Sequence, residues 1–84
     1  MREDKSAMSM LLSEGIKVDL GPDDFCAFWR GYEFHVWRDR SWYIIVKHPD
    51  GGYLYDGLWA ESGDKTVEEA VEEAFRGAQL TEAT

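Results

Sequence analysis

The sequence predicts an α+β fold: an antiparallel sheet of three to four strands, a short N-terminal helix, and a C-terminal amphipathic helix packed on one sheet face. Aromatic and β-branched residues crowd the stretch from Phe25 to Trp59, as strands require. "PDGG" at Pro49–Gly52 separates two such runs with the residues of a tight hairpin. "TVEEAVEEAFRGAQL" repeats its apolar residues with a helical period. Eighty-four residues leave no room for a second core, so residues 1–84 form one domain.

The elements follow in chain order. In "DKSAMSMLLSEG", Ala7 or Met8, Leu11 and Leu12 line one helical stripe, with Asp4 as the expected cap and Gly15 as the stop. "IKVDL" alternates like a short half-buried strand, and Gly21, Pro22, Asp23 and Asp24 make a turn after it. Gly31 splits "FCAFWR" from "YEFHVWR" at a turn or bulge. In "WYIIVKH", Trp42, Ile44 and Val46 share one face while Tyr43, Ile45 and Lys47 share the other. "YLYDGLW" pairs back, with Tyr53 and Tyr55 expected on one face and Leu54, Asp56 and Leu58 on the opposite one. In the last helix Thr66 and Glu69 form a capping box, and Val67, Ala70, Val71, Ala74, Phe75 and Ala78 form the buried stripe. Gly77 is expected to weaken its end, and "TEAT" to fray.

The net charge is −8, from 17 acids against 9 bases. That balance opposes nonspecific binding to phosphate or to anionic membranes. Neither a signal-peptide core nor a membrane-length apolar run is present, so a cytoplasmic chain is expected. The charge is unevenly placed. Residues 1–28 carry −3, residues 29–48 carry +2, and residues 49–84 carry −7, from nine acids against Lys65 and Arg76.

The buried stripe of the last helix is expected to turn Glu68, Glu69, Glu72 and Glu73 outward. Glu68–Glu72 and Glu69–Glu73 are then like-charge pairs one turn apart, each costing a few tenths of a kcal/mol. Lys at some of these positions would serve solubility as well and add stabilising pairs; the face nearly lacks it. Glu72 is the expected partner of Arg76. With Glu61 and Asp64 from the preceding loop and Asp50 and Asp56 from the hairpin, these acids would make a ridge suited to a basic, phosphate-binding groove. A solvated helix face is the plainer alternative.

Little else in the sequence has chemistry at usable spacing. Asp50 does not begin a calcium loop, and His35 and His48 fall on different strands without a ligand partner. Cys26, the only cysteine, excludes an intrachain disulfide and reads as a small buried apolar residue. No catalytic residue, metal or cofactor is expected.

In size, single α+β build, lone cysteine and acid-rich helix, the chain resembles small acidic proteins of phages and mobile elements, in particular DNA-mimicking anti-CRISPR proteins. That resemblance implies a noncatalytic inhibitor, monomeric in the cytoplasm of a bacterial host. Its acidic surface would occupy the positively charged DNA-binding site of a CRISPR effector, a type I surveillance complex being the expected target. The resemblance assigns no residues; the charge distribution makes Glu61, Asp64, Glu68, Glu69, Glu72, Glu73, Asp50 and Asp56 the expected partner-binding residues. The meander and helix of "WYIIVKHPDGGYLYDGLW" into "KTVEEAVEEA" also resemble, in topology, the N-terminal DNA-binding domains of tyrosine recombinases. This implies the alternative, a nucleic-acid-binding or regulatory module using a locally basic aromatic sheet with Arg30, Arg38, Arg40 and Lys47.

Overall fold

The computed structural model describes residues 6–80. Five strands form one antiparallel meander in the order β1-β2-β3-β4-β5: β1 Ile16–Leu20, β2 Asp24–Trp29, β3 Tyr32–Asp39, β4 Ser41–Lys47 and β5 Tyr53–Trp59. Helix α1 (Ala7–Glu14) precedes them and α2 (Val67–Gly77) follows. The sheet is one strand wider than expected because "IKVDL" joins β2 as an edge strand. It does so through an irregular register, with Lys17 in the left-handed region at φ 54°.

Strand alternation sorts the side chains into two layers. Phe25, Ala27, Trp29, Phe34, Val36, Trp42, Ile44 and Val46 are buried on one face. Leu11 and Met8 of α1 and Ala70, Val71, Ala74 and Phe75 of α2 close over them in a single core. Phe75 is the central knob, stacked on Phe34 at 5.0 Å and against Trp29 at 5.3 Å. Full burial of one such ring contributes about 1.5–3 kcal/mol.

The connections explain the register. Arg30 and Gly31 both have positive φ, the geometry of a tight two-residue hairpin. The β4–β5 turn uses Gly51 at φ 104°. β5 slips relative to β4 between Val46 and Lys47. The slip separates the two tyrosines expected on one face: Tyr55 turns toward α2, whereas Tyr53 lies opposite Lys47 on the other side. Gly77 has a packing reason, because a methyl there would run into the Tyr55 ring. Ser6 caps α1 by accepting from the Ser9 amide at 3.1 Å. The expected cap Asp4 and the tail at residues 81–84 lie outside the described residues.

Candidate functional site

The acids nearest the start of α2 are held by a pinned loop. Between β5 and α2 the chain turns at Glu61, with φ 58°, and buries Ser62 completely. The Ser62 hydroxyl accepts from the Trp42 amide at 2.8 Å and donates to the Trp59 carbonyl. Arg38 reaches from β3 and donates to the carbonyls of Gly63 at 2.8 Å and Lys65 at 3.1 Å. It also pairs with Asp23 and lies over the Trp42 ring. The Trp42 indole donates to the same Lys65 carbonyl at 3.0 Å. Glu61 and Asp64 are therefore exposed on a segment whose backbone is tied down from two strands.

At Thr66 the capping box forms as expected. The Glu69 amide donates to Thr66 Oγ1 at 3.1 Å, and the Thr66 amide donates to Glu69 Oε1 at 2.9 Å. Glu68 and Glu69 sit in the first turn, where the positive end of the helix favours carboxylates. Both are exposed, and Glu68 makes no hydrogen bond or ion pair with another described residue. Glu61, Asp64, Glu68 and Glu69 are all exposed and fall within nine residues of sequence, with the half-buried Lys65 between them; Glu68 borders α1 beside Ser9 and Leu12, whereas Glu69 borders Trp59 and Lys65.

The second glutamate pair is placed differently. Glu72 Oε2 accepts from the Ala7 amide at 2.8 Å, satisfying an orphan donor at the start of α1. The Glu73 side chain is only 11% exposed. It accepts from the Tyr55 hydroxyl at 2.8 Å and pairs with Arg76. Burial, then the bond to Glu73, pushes the Tyr55 hydroxyl up to about 12. Two expectations are corrected here. Glu73 does not face outward, and Arg76 takes Glu73 rather than Glu72 as its partner. Arg76 and Lys65 line a shallow cleft with Trp59, Glu69, Glu72 and Glu73, so bases interrupt the acids along this part of the helix.

The hairpin acids do not extend the α2 cluster. Asp56 pairs with Ile45 across β4 and β5, on the sheet face opposite the helices, and accepts from the Tyr43 hydroxyl at 2.8 Å. That bond raises the Tyr43 pKa. Asp50 stands in the β4–β5 turn, 91% exposed, with His48 at 3.5 Å. The eight acids expected as one ridge are divided by the sheet and the turn into separate groups.

The four bases of the alternative site are scattered as well. Arg30 lies in the β2–β3 turn over Trp29 and 3.6 Å from Glu14, Arg38 clasps the loop, and Arg40 occupies the β3–β4 turn. Lys47 alone of the four stands on the open sheet face, 5.9 Å from the Tyr53 ring centre.

Cys26 is half-buried on that open face, not in the core, and its cross-strand partner is His35. His35 in turn contacts Asp24 at 3.2 Å. Sequence separation hid this grouping, which lies in the β2–β3 register. Desolvation and the carboxylates of Asp19, Asp24 and Glu33 push the thiol up, holding it protonated and opposing nucleophilic use. Among the described residues no three His, Cys, Asp or Glu side chains cluster to hold a metal, and no helix is long and apolar enough to cross a membrane. No protein-family model matches the chain, and no curated protein or solved structure matches it.

Proposed function

We propose that this protein is a noncatalytic inhibitor of the anti-CRISPR kind, which binds a basic nucleic-acid-binding surface through the acidic cluster at the start of α2. The observation that carries this reading is that Glu61, Asp64, Glu68 and Glu69 are each exposed on a short loop and first helical turn fixed by Ser62, Arg38 and the capping box. Carboxylates on a fixed backbone lose little freedom on binding, so more of each charge–charge contact appears as affinity. They also steer a basic partner during encounter. Glu72 and Glu73 support the site by fixing α1 and β5 against α2, and the acids of the hairpin contribute only to the surrounding field.

The target is the positively charged DNA-binding channel of a CRISPR effector, with a type I surveillance complex as the first candidate. Its test is a mobility-shift titration of target DNA by such complexes at several ionic strengths. The protein should displace DNA at low salt, and the displacement should weaken steeply as salt rises. DNA binding that stays unaffected at every salt concentration, in each type I complex tried, would refute this target.

A further inference from the structure

The sheet face turned away from the helices is covered by no described element, and its composition is ordered. One row across the strands runs Asp19, Cys26, His35, Ile45 and Asp56. The next runs Asp24, Trp37, Tyr43 and Leu58. A third, nearer the β2–β3 and β4–β5 turns, runs Ile16, Phe28, Glu33, Lys47 and Tyr53. The first two rows have an apolar and aromatic centre on β3 and β4, where Trp37 stacks on Tyr43 at 4.9 Å and meets His35 at 4.7 Å. Carboxylates border that centre on both sides: Asp19 and Asp24 on β1 and β2, Asp56 on β5. The large side chains at the margins are open to solvent, Leu58 being 59% and Ile16 63% exposed.

From these rows we infer that the open sheet face is a second docking surface, and that its occupant is a basic amphipathic helix of a partner protein. The dimensions agree. Asp19 and Asp56 are four strands apart, about 19 Å at the usual strand spacing, and a helix with its side chains is about 10–12 Å across. An apolar stripe laid over Trp37, Tyr43, Ile45 and Leu58 would leave Lys or Arg on each flank within reach of Asp19 and Asp24 or of Asp56. Long basic side chains suit those flanks because their stems cover apolar surface while their charges stay at the edge. Charge complementarity also selects against a second copy of this chain, whose own face would bring carboxylates to carboxylates. This surface lies on the sheet face opposite α2, whose first turn carries Glu68 and Glu69.

The test is an amide chemical-shift titration of the isotope-labelled protein with a synthetic helical peptide, leucine on one stripe and lysine elsewhere. A matched peptide with glutamate for lysine is the control. Shifts should centre on Cys26, His35, Tyr43 and Ile45, and the glutamate peptide should not bind. Leu58→Lys, at an exposed position that leaves the core intact, should weaken the lysine peptide about tenfold, because it removes an apolar contact and sets a like charge beside the peptide's lysines. The combined variant Glu61→Lys, Asp64→Lys and Glu68→Lys should bind it as the unmodified protein does. Shifts centred on the start of α2, equal binding of both peptides, no binding, or dimerisation of the chain through this face would each overturn the inference.

Discussion

The two glutamate pairs of α2 are the same dipeptide on the same helix, yet they do different work. Glu68 and Glu69 stand at the helix start, exposed and next to a pinned acidic loop. Glu72 and Glu73, one turn later, are spent on the fold: one accepts from the Ala7 amide at the start of α1 and the other accepts from Tyr55. What differs is the neighbour. α1 begins beside Glu72, and β5 runs beside Glu73. An acidic run on a helix is therefore no measure of an acidic surface until the elements on its flanks are known.

The orientation of α2 underlies this difference, and Phe75 fixes it. Phe75→Ala removes a fully buried ring and should cost about 3–5 kcal/mol, which chemical denaturation would register as a large loss for so small a domain. Next in size is Glu73→Ala. It removes the acceptor of the half-buried Tyr55 hydroxyl and the partner of Arg76, and should cost about 1–3 kcal/mol. Glu72→Ala, which takes the acceptor from the Ala7 amide while Ser6 still caps α1, should cost about 1 kcal/mol. Glu68→Ala should change stability by no more than about 0.5 kcal/mol. Equal costs for Glu68→Ala and Glu73→Ala in thermal unfolding would erase the distinction between the pairs.

The Tyr55–Glu73 bond also has a signature in pH. An unfolded tyrosine titrates near about 10, whereas in the folded protein Tyr55 is held up to about 12. Below the lower value both states keep the proton, and the contribution is fully present. As pH rises through this window the unfolded state loses the proton first, so stability falls. Tyr55→Phe should reduce that alkaline loss without abolishing it, because Tyr43 is raised in the same direction by Asp56. Denaturation midpoints of the two proteins, followed from neutral pH to the alkaline limit, would check this.

The sequence makes the local structure legible and leaves the long-range contacts obscure, for physical reasons. The stripe of Val67, Ala70, Val71, Ala74 and Phe75, the Thr66–Glu69 box and the alternation of β4 all depend on neighbours a few residues apart. The Arg38 clasp on Gly63 and Lys65, the Ser62 anchor under Trp42 and the Glu72 bond to the Ala7 amide join residues 20 or more positions apart. Only the strand register and the packing of α1 on α2 bring them together. Tyr53 falls on the face opposite Tyr55 for a related reason, since a register slip leaves no mark in an alternating pattern. The acidic residues are plain in the sequence, but their division into exposed acids and acids bonded to other elements is not.

That division is tested most directly by the combined variant Glu61→Lys, Asp64→Lys and Glu68→Lys, which spares the capping box and every glutamate bonded to another element. Its unfolding midpoint and its inhibition of target-DNA binding by a type I surveillance complex should be measured together. The proposed role of the cluster predicts a folded protein of nearly unchanged stability whose inhibition is lost. Full inhibition by that folded variant would contradict it.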